Sequence, residues 1–317
     1  MRHDADVTFE IPALLLARHH PPTAPRLDRT PGLHRIRSGV YVDSSIWDGL
    51  PAWERYRLRV LAVAQTWSDP VFALESAASL HGLPVFGEPR AIHLLSADGK
   101  SWRQGDVVVH GWTDDKPIEV IDGNLATSAQ ATAVALARVL PPAFGLGVAD
   151  AVARRLGIDH VRVADLGRAQ ADRRGVRRLD WIQERVTDRA ESAGESLSRA
   201  VIEWLGYDSP DLQVEFAHEG VDDRIDFFWR SRRTIGESDG YGKYGLEDTA
   251  SAREALVREK RREDRLRRNV GPVARWEWKD AMRADPLDAV LRSTGLTPAR
   301  ARDRRMLATL RANPRSL

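Results

Sequence analysis

An aspartate stands inside the apolar run Ile225–Trp229, in a segment whose other residues favour a buried β-strand. A carboxylate among apolar side chains is costly unless it is paired, hydrogen-bonded or bound to a metal. Asp226 is therefore the residue that most restricts what the surrounding chain can form. The neighbouring segments must supply hydrogen-bond donors, a cation or both.

The segments around Asp226 predict one domain with the element order α-β-β-β-α-β. The first helix, Glu195–Leu205, places Leu197, Val201 and Trp204 on one face. The remaining predicted elements are the strands Leu212–Phe216, Arg224–Trp229 and Arg233–Glu237, the charged helix Ala252–Arg268 and the alternating strand Val273–Trp278. Trp276 and Trp278 share one face of that last strand and are expected in the core.

Three further acidic residues lie at informative positions in this order. Glu195 lies near the first turn of the first helix, where the helix dipole favours an acid, and Glu237 and Asp239 lie where a strand ends. Mg²⁺ prefers oxygen ligands, usually one or two carboxylates with water and substrate phosphate. With Lys243 four residues after Asp239, the pattern predicts a Mg²⁺ (or Mn²⁺) site that hydrolyses phosphodiesters. The alternative is that strand ends and turns carry acids for ordinary reasons.

Several separate motifs in this region resemble, in order, the DUF559-type domain. They are Gly194–Arg199, Leu212–Glu215, Arg224–Phe227, Gly236–Gly240, Lys243–Gly245, Glu259–Leu266 and Val273–Trp276. That domain is related to very-short-patch-repair endonucleases of the PD-(D/E)XK group. The resemblance implies a restriction-endonuclease-like αβββαβ fold, a metal-binding pair Asp226 and Glu237, and Glu195 as the helical acid. Asp239 stands where the lysine of the group is usual, and Lys243 is the candidate replacement.

The helix Arg258–Arg268 carries seven basic and three acidic residues. In a nuclease fold, Arg261, Arg262 and Arg265 would contact nucleic-acid phosphates. The alternative is a solvated face, because the spacing also allows ion pairs three and four residues apart.

The N-terminal half predicts a mixed α/β region, so that the whole chain is of the α/β (α+β) class. A helix is expected over Pro12–His19, a hairpin over Leu33–Val42, and two strands over Ala91–Leu95 and Asp106–His110. Helices are expected over Ala52–Trp67, Phe72–His81, Ser128–Leu140 and from Val148. The expected domains are a degenerate winged-helix-like segment 1–50, a mixed α/β domain 51–157, a charged helical connector 158–190, the nuclease-type domain 191–285 and a helical tail 286–317.

Five segments of this half resemble antitoxins of the abortive-infection AbiEi type. They are Leu33–Val42, Leu74–Pro84, Ala91–Leu94, Thr127–Ser128 and Ala133–Ala137. The resemblance implies a transcriptional regulator of a type IV toxin–antitoxin system with a nucleotidyltransferase-like toxin as partner. Arg35 and Arg37 lie at the wing-like hairpin and are the candidates for phosphate contact, which positions a protein on DNA without specifying sequence.

Composition narrows the function classes. The 317 residues contain no cysteine, which excludes disulfides and thiolate chemistry and fits a reducing cytoplasm. The longest apolar stretch near the N-terminus, Ile11–Ala17, is far shorter than the ~20 residues that span a bilayer. The net charge of +2 allows at most a local basic face for DNA. Two hypotheses follow: a Mg²⁺-dependent DNA endonuclease, or an antitoxin-like regulator whose nuclease-type domain does not cleave.

Overall fold

A computed structural model describes residues 13–111, 114, 116–158, 161–239, 249–311, 313, 315 and 316. These residues form α-helices and three β-sheets, so the predicted α+β class is confirmed. The chain forms two compact units. The N-terminal unit contains the described residues up to Leu136 with Asp165–Arg174, Arg315 and Ser316, and the C-terminal unit contains Ala137–Ala164 and Gly175–Asn313.

The N-terminal unit begins with a small antiparallel sheet of strands β1 (Leu15–Leu16), β2 (Leu33–Arg37) and β3 (Val40–Asp43). β3 lies between the other two strands. Gly39 has φ +78°, a conformation that glycine adopts without a Cβ penalty, and it forms the turn between β2 and β3. The hairpin predicted over Leu33–Val42 is confirmed.

A six-stranded mixed sheet follows in the same unit. Its strands are β4 (Val71–Phe72), β5 (Ile92–Ser96), β6 (Trp102–Gln104), β7 (Val107–Gly111), β8 (Ile118–Ile121) and β9 (Asn124–Thr127). They lie in the order β6-β7-β5-β4-β9-β8, with β5 parallel to β7 and β4 parallel to β9. The helices before and between the strands are α1 (Ser44–Gly49), α2 (Ala52–Thr66) and α3 (Leu74–Leu80). Tyr56, Phe72 and Ile92 form the centre of the core.

The C-terminal unit contains the third sheet and most of the helices that follow residue 129. The helices from residue 129 onward are α4 (Ala129–Val139), α5 (Pro142–Leu156), α6 (Val163–Ala169), α7 (Val176–Gln183), α8 (Ala193–Trp204), α9 (Thr249–Asn269), α10 (Trp278–Arg283), α11 (Asp285–Ser293) and α12 (Arg304–Ala308). Within the described residues, none of the helices has the length and apolar character needed to cross a membrane.

The sheet of the C-terminal unit carries the acidic residues. Its strands, in spatial order, are β10 (Asp211–His218), β11 (Val221–Trp229), β12 (Thr234–Asp239) and β13 (Val273–Glu277). Neighbours are antiparallel except β12 and β13, which are parallel and therefore need a crossover, supplied by α9. Ile225, Ile235 and Leu266 pack together in the core beneath it. The order α8-β10-β11-β12-α9-β13 is the one that the sequence predicts.

Local details differ from the sequence predictions. The prediction of a helix over Pro12–His19 is wrong for the described part of that segment. Leu15 pairs with Tyr41 of β3, and only Ala17–His19 forms a 3-10 turn. α5 begins at Pro142 and not near Val148, since proline is favoured at the first helical position. Trp278 begins α10 after a capping box at Glu277 and does not continue the strand.

Candidate metal and nucleic-acid site

Glu195 is buried at the start of α8, where four hydrogen bonds fix its position. Ser192 caps the helix by accepting the Glu195 N–H at 3.1 Å, and its hydroxyl donates to Glu195 Oε1 at 2.9 Å. The Glu191 N–H and the Gln213 side-chain amide each donate to Glu195 Oε2 at 2.9 Å. Helix capping alone explains the first three bonds. The bond from Gln213, on β10, links the helix to the sheet.

Asp226 is half-buried on β11 and is satisfied by the neighbouring strand. Its Oδ2 accepts the Ser238 backbone N–H of β12 at 2.9 Å. The start of α8 lies close to the same point, because a Cβ added at Gly194 would be 3.3 Å from the Ser238 Oγ. The helix that carries Glu195 therefore reaches the two strands that carry Asp226 and Glu237.

Glu237 is buried on β12 and is held by a cation from α9. Its Oε1 accepts a hydrogen bond from Arg262 Nη2 at 2.9 Å. The same nitrogen donates to the Arg224 carbonyl at 2.7 Å, and Arg262 Nη1 lies 3.3 Å from Glu259 Oε1. Arg262 is thus fixed between the sheet and its own helix.

The three acids influence one another electrostatically. Burial and, after it, the negative charge of Asp226 raise the pKa of Glu195 to about 7, against the hydrogen bonds donated to the carboxylate. Burial and Asp226 likewise raise the pKa of Glu237 to about 7, although Arg262 opposes the shift. Asp226 therefore acts on both glutamates, and all three carboxyl groups belong to one acidic cluster. We call Glu195, Asp226 and Glu237 the acidic cluster.

The acidic cluster supplies the all-oxygen ligands that Mg²⁺ prefers. Among the residues that the structure describes, however, no three Asp, Glu or His side chains are already arranged to hold a metal ion. Asp239 ends β12, is half-buried, and pairs in register with Glu277 of β13. Lys243 lies outside the described residues, so the predicted lysine stays a prediction.

The predicted phosphate-binding arginines of α9 have different environments. Arg261 is exposed. Arg262 contacts Glu237, and Arg265 forms a bidentate pair with Asp223, with Nε to Oδ2 and Nη2 to Oδ1 both at 2.7 Å. Contact with phosphate stays a prediction for all three. The guanidinium groups of Arg262 and Arg265 already hold protein carboxylates, whereas Arg261 points to solvent-accessible surface.

The two arginines of the hairpin lie in the N-terminal unit. Arg35 is exposed and Arg37 is half-buried on β2, with a β-bulge between them. A bulge re-aims side chains because it adds one residue to a strand. Their contact with DNA also stays a prediction.

Two side-chain contacts in the C-terminal unit, Gln213 with Glu195 and Arg262 with Glu237, were not predicted from the sequence. Gln213 donates to Glu195 and has a left-handed backbone conformation, φ +52°, and no compositional pattern indicates such a conformation. Arg262 was predicted for phosphate, but its partner here is Glu237, 25 residues earlier in the chain. The α-β-β-β-α-β order was the one available indication, since it places α9 beside β12.

A second cluster of ionisable side chains lies in the N-terminal unit and consists of Glu75, His93, His110 and Arg315. Arg315 Nη2 donates to Glu75 Oε2 at 2.7 Å, and Arg315 Nε also contacts the other Glu75 oxygen. Arg315 Nη2 lies 3.0 Å from His93 Nε2, and His93 Nδ1 lies 2.9 Å from His110 Nε2. Burial lowers the pKa of His93 to about 4 despite the opposing charge of Glu75. Glu75 and Arg315 are 240 residues apart, so no sequence spacing indicates the pair.

Comparison with known proteins defines a family. "Uncharacterized protein Rv2248" of Mycobacterium tuberculosis (strain ATCC 25618 / H37Rv) is 30% identical over 209 residues, which cover 65% of this chain and 73% of the relative. "Uncharacterized protein MT2308" of Mycobacterium tuberculosis (strain CDC 1551 / Oshkosh) matches with the same identity and coverage. The chain belongs to the family of these mycobacterial proteins. No family model matches the chain, and no solved structure matches it.

Proposed function

We propose that the chain is a nucleic-acid-binding protein whose region 191–285 is a metal-dependent endonuclease-type domain that hydrolyses DNA phosphodiesters. The observation that carries the proposal is the acidic cluster. Three carboxylates come from a helix and two neighbouring strands, and burial together with the negative charge of Asp226 raises the pKa of both glutamates to about 7. Perturbed carboxylates concentrate at functional sites, because a purely structural fold has little reason to collect like charges.

The donor chemistry supports a hard divalent cation. Carboxylate oxygens are the preferred ligands of Mg²⁺, and a cation relieves the repulsion among ionised acids. When bound, Mg²⁺ supplies polarisation of the phosphate and a lowered pKa of the attacking water. The Ser238 N–H holds Asp226 and Arg262 holds Glu237, so that two candidate ligands have fixed orientations. Glu195, with a pKa of about 7, is suited to accept a proton from water at neutral pH.

The outer face of α9 supports contact with the DNA backbone. Arg258, Lys260 and Arg261 are exposed on this helix, and Arg258 pairs only loosely with Glu254 at 3.6 Å. Arginine and lysine neutralise phosphates independently of sequence. DNA is therefore the proposed substrate, and Arg35 and Arg37 are proposed as a further contact. A chain without cysteine fits the cytoplasm, which is the proposed location.

Mn²⁺ binding measured by calorimetry at about pH 8 tests the proposal, because both glutamates are then ionised. Asp226→Asn and Glu237→Gln keep the side-chain size and remove the charge. Each is expected to weaken Mn²⁺ binding more than about 10-fold, since even outer-shell partners of a metal contribute that much. Asp222→Asn, an exposed acid on the same strand, is the matched control. The proposal fails if the parent protein binds no Mn²⁺, or if the control weakens binding as much.

One observation favours a second function, an antitoxin-like regulator that binds nucleic acid without cleavage. Arg262 already supplies a positive charge to Glu237 at 2.9 Å, as a guanidinium group can do in a site that needs no metal. A nucleotidyltransferase-like toxin is the partner proposed for this function. The regulator is expected to shift its own upstream DNA at modest salt in the presence of EDTA and to leave that DNA intact when Mg²⁺ is added. Cleavage on adding Mg²⁺ that Asp226→Asn abolishes would exclude it.

A further inference from the structure

Gln213 has an unusual backbone conformation for its place in the fold. It lies within β10 and yet has φ +52°, in the left-handed region. Residues other than glycine rarely occupy this region, and they persist there only where the surroundings hold them. Such outliers concentrate at functional sites, so the position has to be considered together with its neighbours.

The register places Gln213 beside the acidic cluster. β10 and β11 pair Leu212 with Phe227 and Val214 with Ile225, which leaves Gln213 across from Asp226. A regular strand residue would extend its side chain perpendicular to the sheet. With φ at +52°, Gln213 departs from this regular strand geometry.

The side chain of Gln213 ends at Glu195. Its Nε2 donates to Glu195 Oε2 at 2.9 Å, and the Glu191 N–H donates to the same oxygen. Glu195 Oε1 accepts from the Ser192 hydroxyl. A carboxylate oxygen has two lone-pair positions, so the described donors fill Oε2 and leave one position on Oε1.

We propose that Gln213 is the positioning residue of the acidic cluster. Its left-handed backbone directs the amide onto Glu195, fixes the carboxylate, and leaves Oε1 with capacity for a divalent cation. The inference rests on the proposed function for its metal. The contact between Gln213 and Glu195 does not depend on a metal and is tested separately.

The first experiment follows the contact without metal. The chain has six glutamines, so ¹⁵N-glutamine labelling gives six side-chain amide pairs in a two-dimensional NMR spectrum. The Gln213 pair is assigned by its disappearance in Gln213→Ala. In Glu195→Gln this pair is expected to move, because the acceptor changes from a carboxylate to an amide, while the pair of Gln104, exposed in β6, stays in place. An unmoved Gln213 pair overturns the proposal whatever the protein binds.

The second experiment measures Mn²⁺ affinity by calorimetry in Gln213→Ala and Gln213→Gly. Both variants lose the amide, but only glycine relieves the left-handed backbone. Each is expected to bind Mn²⁺ about 10-fold more weakly than the parent, and the glycine variant is expected to melt at a higher temperature than the alanine variant. Gln104→Ala is the control and is expected to bind as the parent does.

Two results of this experiment contradict the inference. Parent-like affinity in both Gln213 variants means that the amide does not position Glu195. Weak binding in Gln213→Ala that Gln213→Gly restores means that backbone strain, and not the amide, matters. If the parent itself binds no Mn²⁺, the proposed function fails, and the Gln213 resonance still decides whether the amide holds Glu195.

Discussion

We expect the acidic cluster to bind a divalent cation only when Glu195 and Glu237 are ionised. Glu195 and Glu237 have pKa values of about 7, so near neutral pH each is divided between its neutral and ionised forms. A divalent cation favours the ionised form. When the pH is below about 7, binding of the cation is therefore expected to release protons from the two glutamates. The activity of a metal site here is expected to rise with pH through neutrality.

The same shifts predict how stability depends on pH. The ordinary glutamate pKa is 4.5, and the folded values are about 7, so the folded state holds these protons more tightly than the unfolded state. Their stabilising contribution is complete below about pH 4.5 and is lost as the pH rises through about 7. Urea unfolding without metal at about pH 5 and about pH 8 measures it. The double variant Glu195→Gln, Glu237→Gln is expected to lose less stability between these pH values than the parent.

The control for that prediction is Asp222→Asn, which leaves the acidic cluster unchanged and is expected to follow the parent at both pH values. Adding Mn²⁺ at about pH 8 is expected to raise the stability of the parent more than that of the double variant. A double variant with the same pH dependence as the parent contradicts the assigned pKa values.

Gly236 on β12 shows how tightly the sheet is packed under the acidic cluster. A Cβ at this position would lie 2.7 Å from the Trp276 ring, and 3.0 Å from both Phe227 and Trp229. Gly236→Ala is expected to lower the free energy of unfolding by about 1–3 kcal/mol, because the surrounding rings must shift. Chemical denaturation measures it. Gly220→Ala, where the added Cβ meets no atom but φ is +72°, separates backbone strain from overpacking.

At the residue scale, the sequence was most informative where a residue differed in polarity from the residues around it. An acid in an apolar strand identified Asp226, and the structure supplies its donor from Ser238. The sequence did not indicate the partners that come from distant elements. Gln213 depends on a backbone torsion, and the Arg262 contact with Glu237 depends on how α9 packs on the sheet.

The arginines of α9 lie in two different environments. Arg262 and Arg265 face the sheet and pair with Glu237 and Asp223, whereas Arg261 faces outward. Helical residues one position apart point in different directions, so neighbouring arginines differ in environment. Arg262 and Arg265 therefore form the ion pairs that the spacing allows, and phosphate contact stays a prediction for Arg261.

The two environments predict different effects for two arginine variants, one on stability and the other on DNA binding. Arg265→Ala is expected to lower the urea midpoint, because it leaves the buried carboxylate of Asp223 without its bidentate partner. Arg261→Ala is expected to leave the midpoint unchanged and to weaken DNA binding. It is also expected to reduce the slope of log K for DNA binding against log salt concentration by about 1, which corresponds to one phosphate contact. This prediction is wrong if Arg261→Ala destabilises the fold or leaves the salt dependence of DNA binding unchanged.

Elements of the C-terminal unit were more predictable than those of the N-terminal unit. The element order around Asp226 is confirmed, and it could be predicted because the strands and helices there are long and strongly patterned. In the N-terminal unit, β4 has only two residues and β6 only three. Strands this short carry too few residues for an alternating pattern, and their pairing partners, not their composition, determine them.

At the scale of the whole molecule, the N-terminal unit includes residues from both ends of the described chain. Arg315 pairs with Glu75 of α3, and the Arg90 N–H donates to the Arg315 carbonyl at 2.9 Å. The Ser316 hydroxyl accepts the Glu88 N–H, also at 2.9 Å. Glu75 is buried, with 3% of its surface exposed, so it depends on this late segment for its counter-charge.

We expect a large loss of stability when the counter-charge of Glu75, which is Arg315, is removed. Arg315→Ala leaves an unpaired buried carboxylate and is expected to cost about 3 kcal/mol or more of unfolding free energy. Thermal or urea unfolding measures it, and Glu75→Gln combined with Arg315→Ala is expected to recover part of the loss. Arg311→Ala, an exposed arginine slightly earlier in the chain, is the control and should leave stability unchanged. Equal stability of Arg315→Ala and the parent would show that the pair contributes nothing.

The late position of Arg315 also has a consequence for synthesis on the ribosome. Translation adds about 5–20 residues per second, so the 240 residues between Glu75 and Arg315 take roughly 10 to 50 seconds to make. During that interval the nascent N-terminal unit carries a carboxylate whose partner does not yet exist. The unit can reach its final stability only after Arg315 has been synthesised and has left the ribosome, and until then it stays exposed to chaperones and proteases.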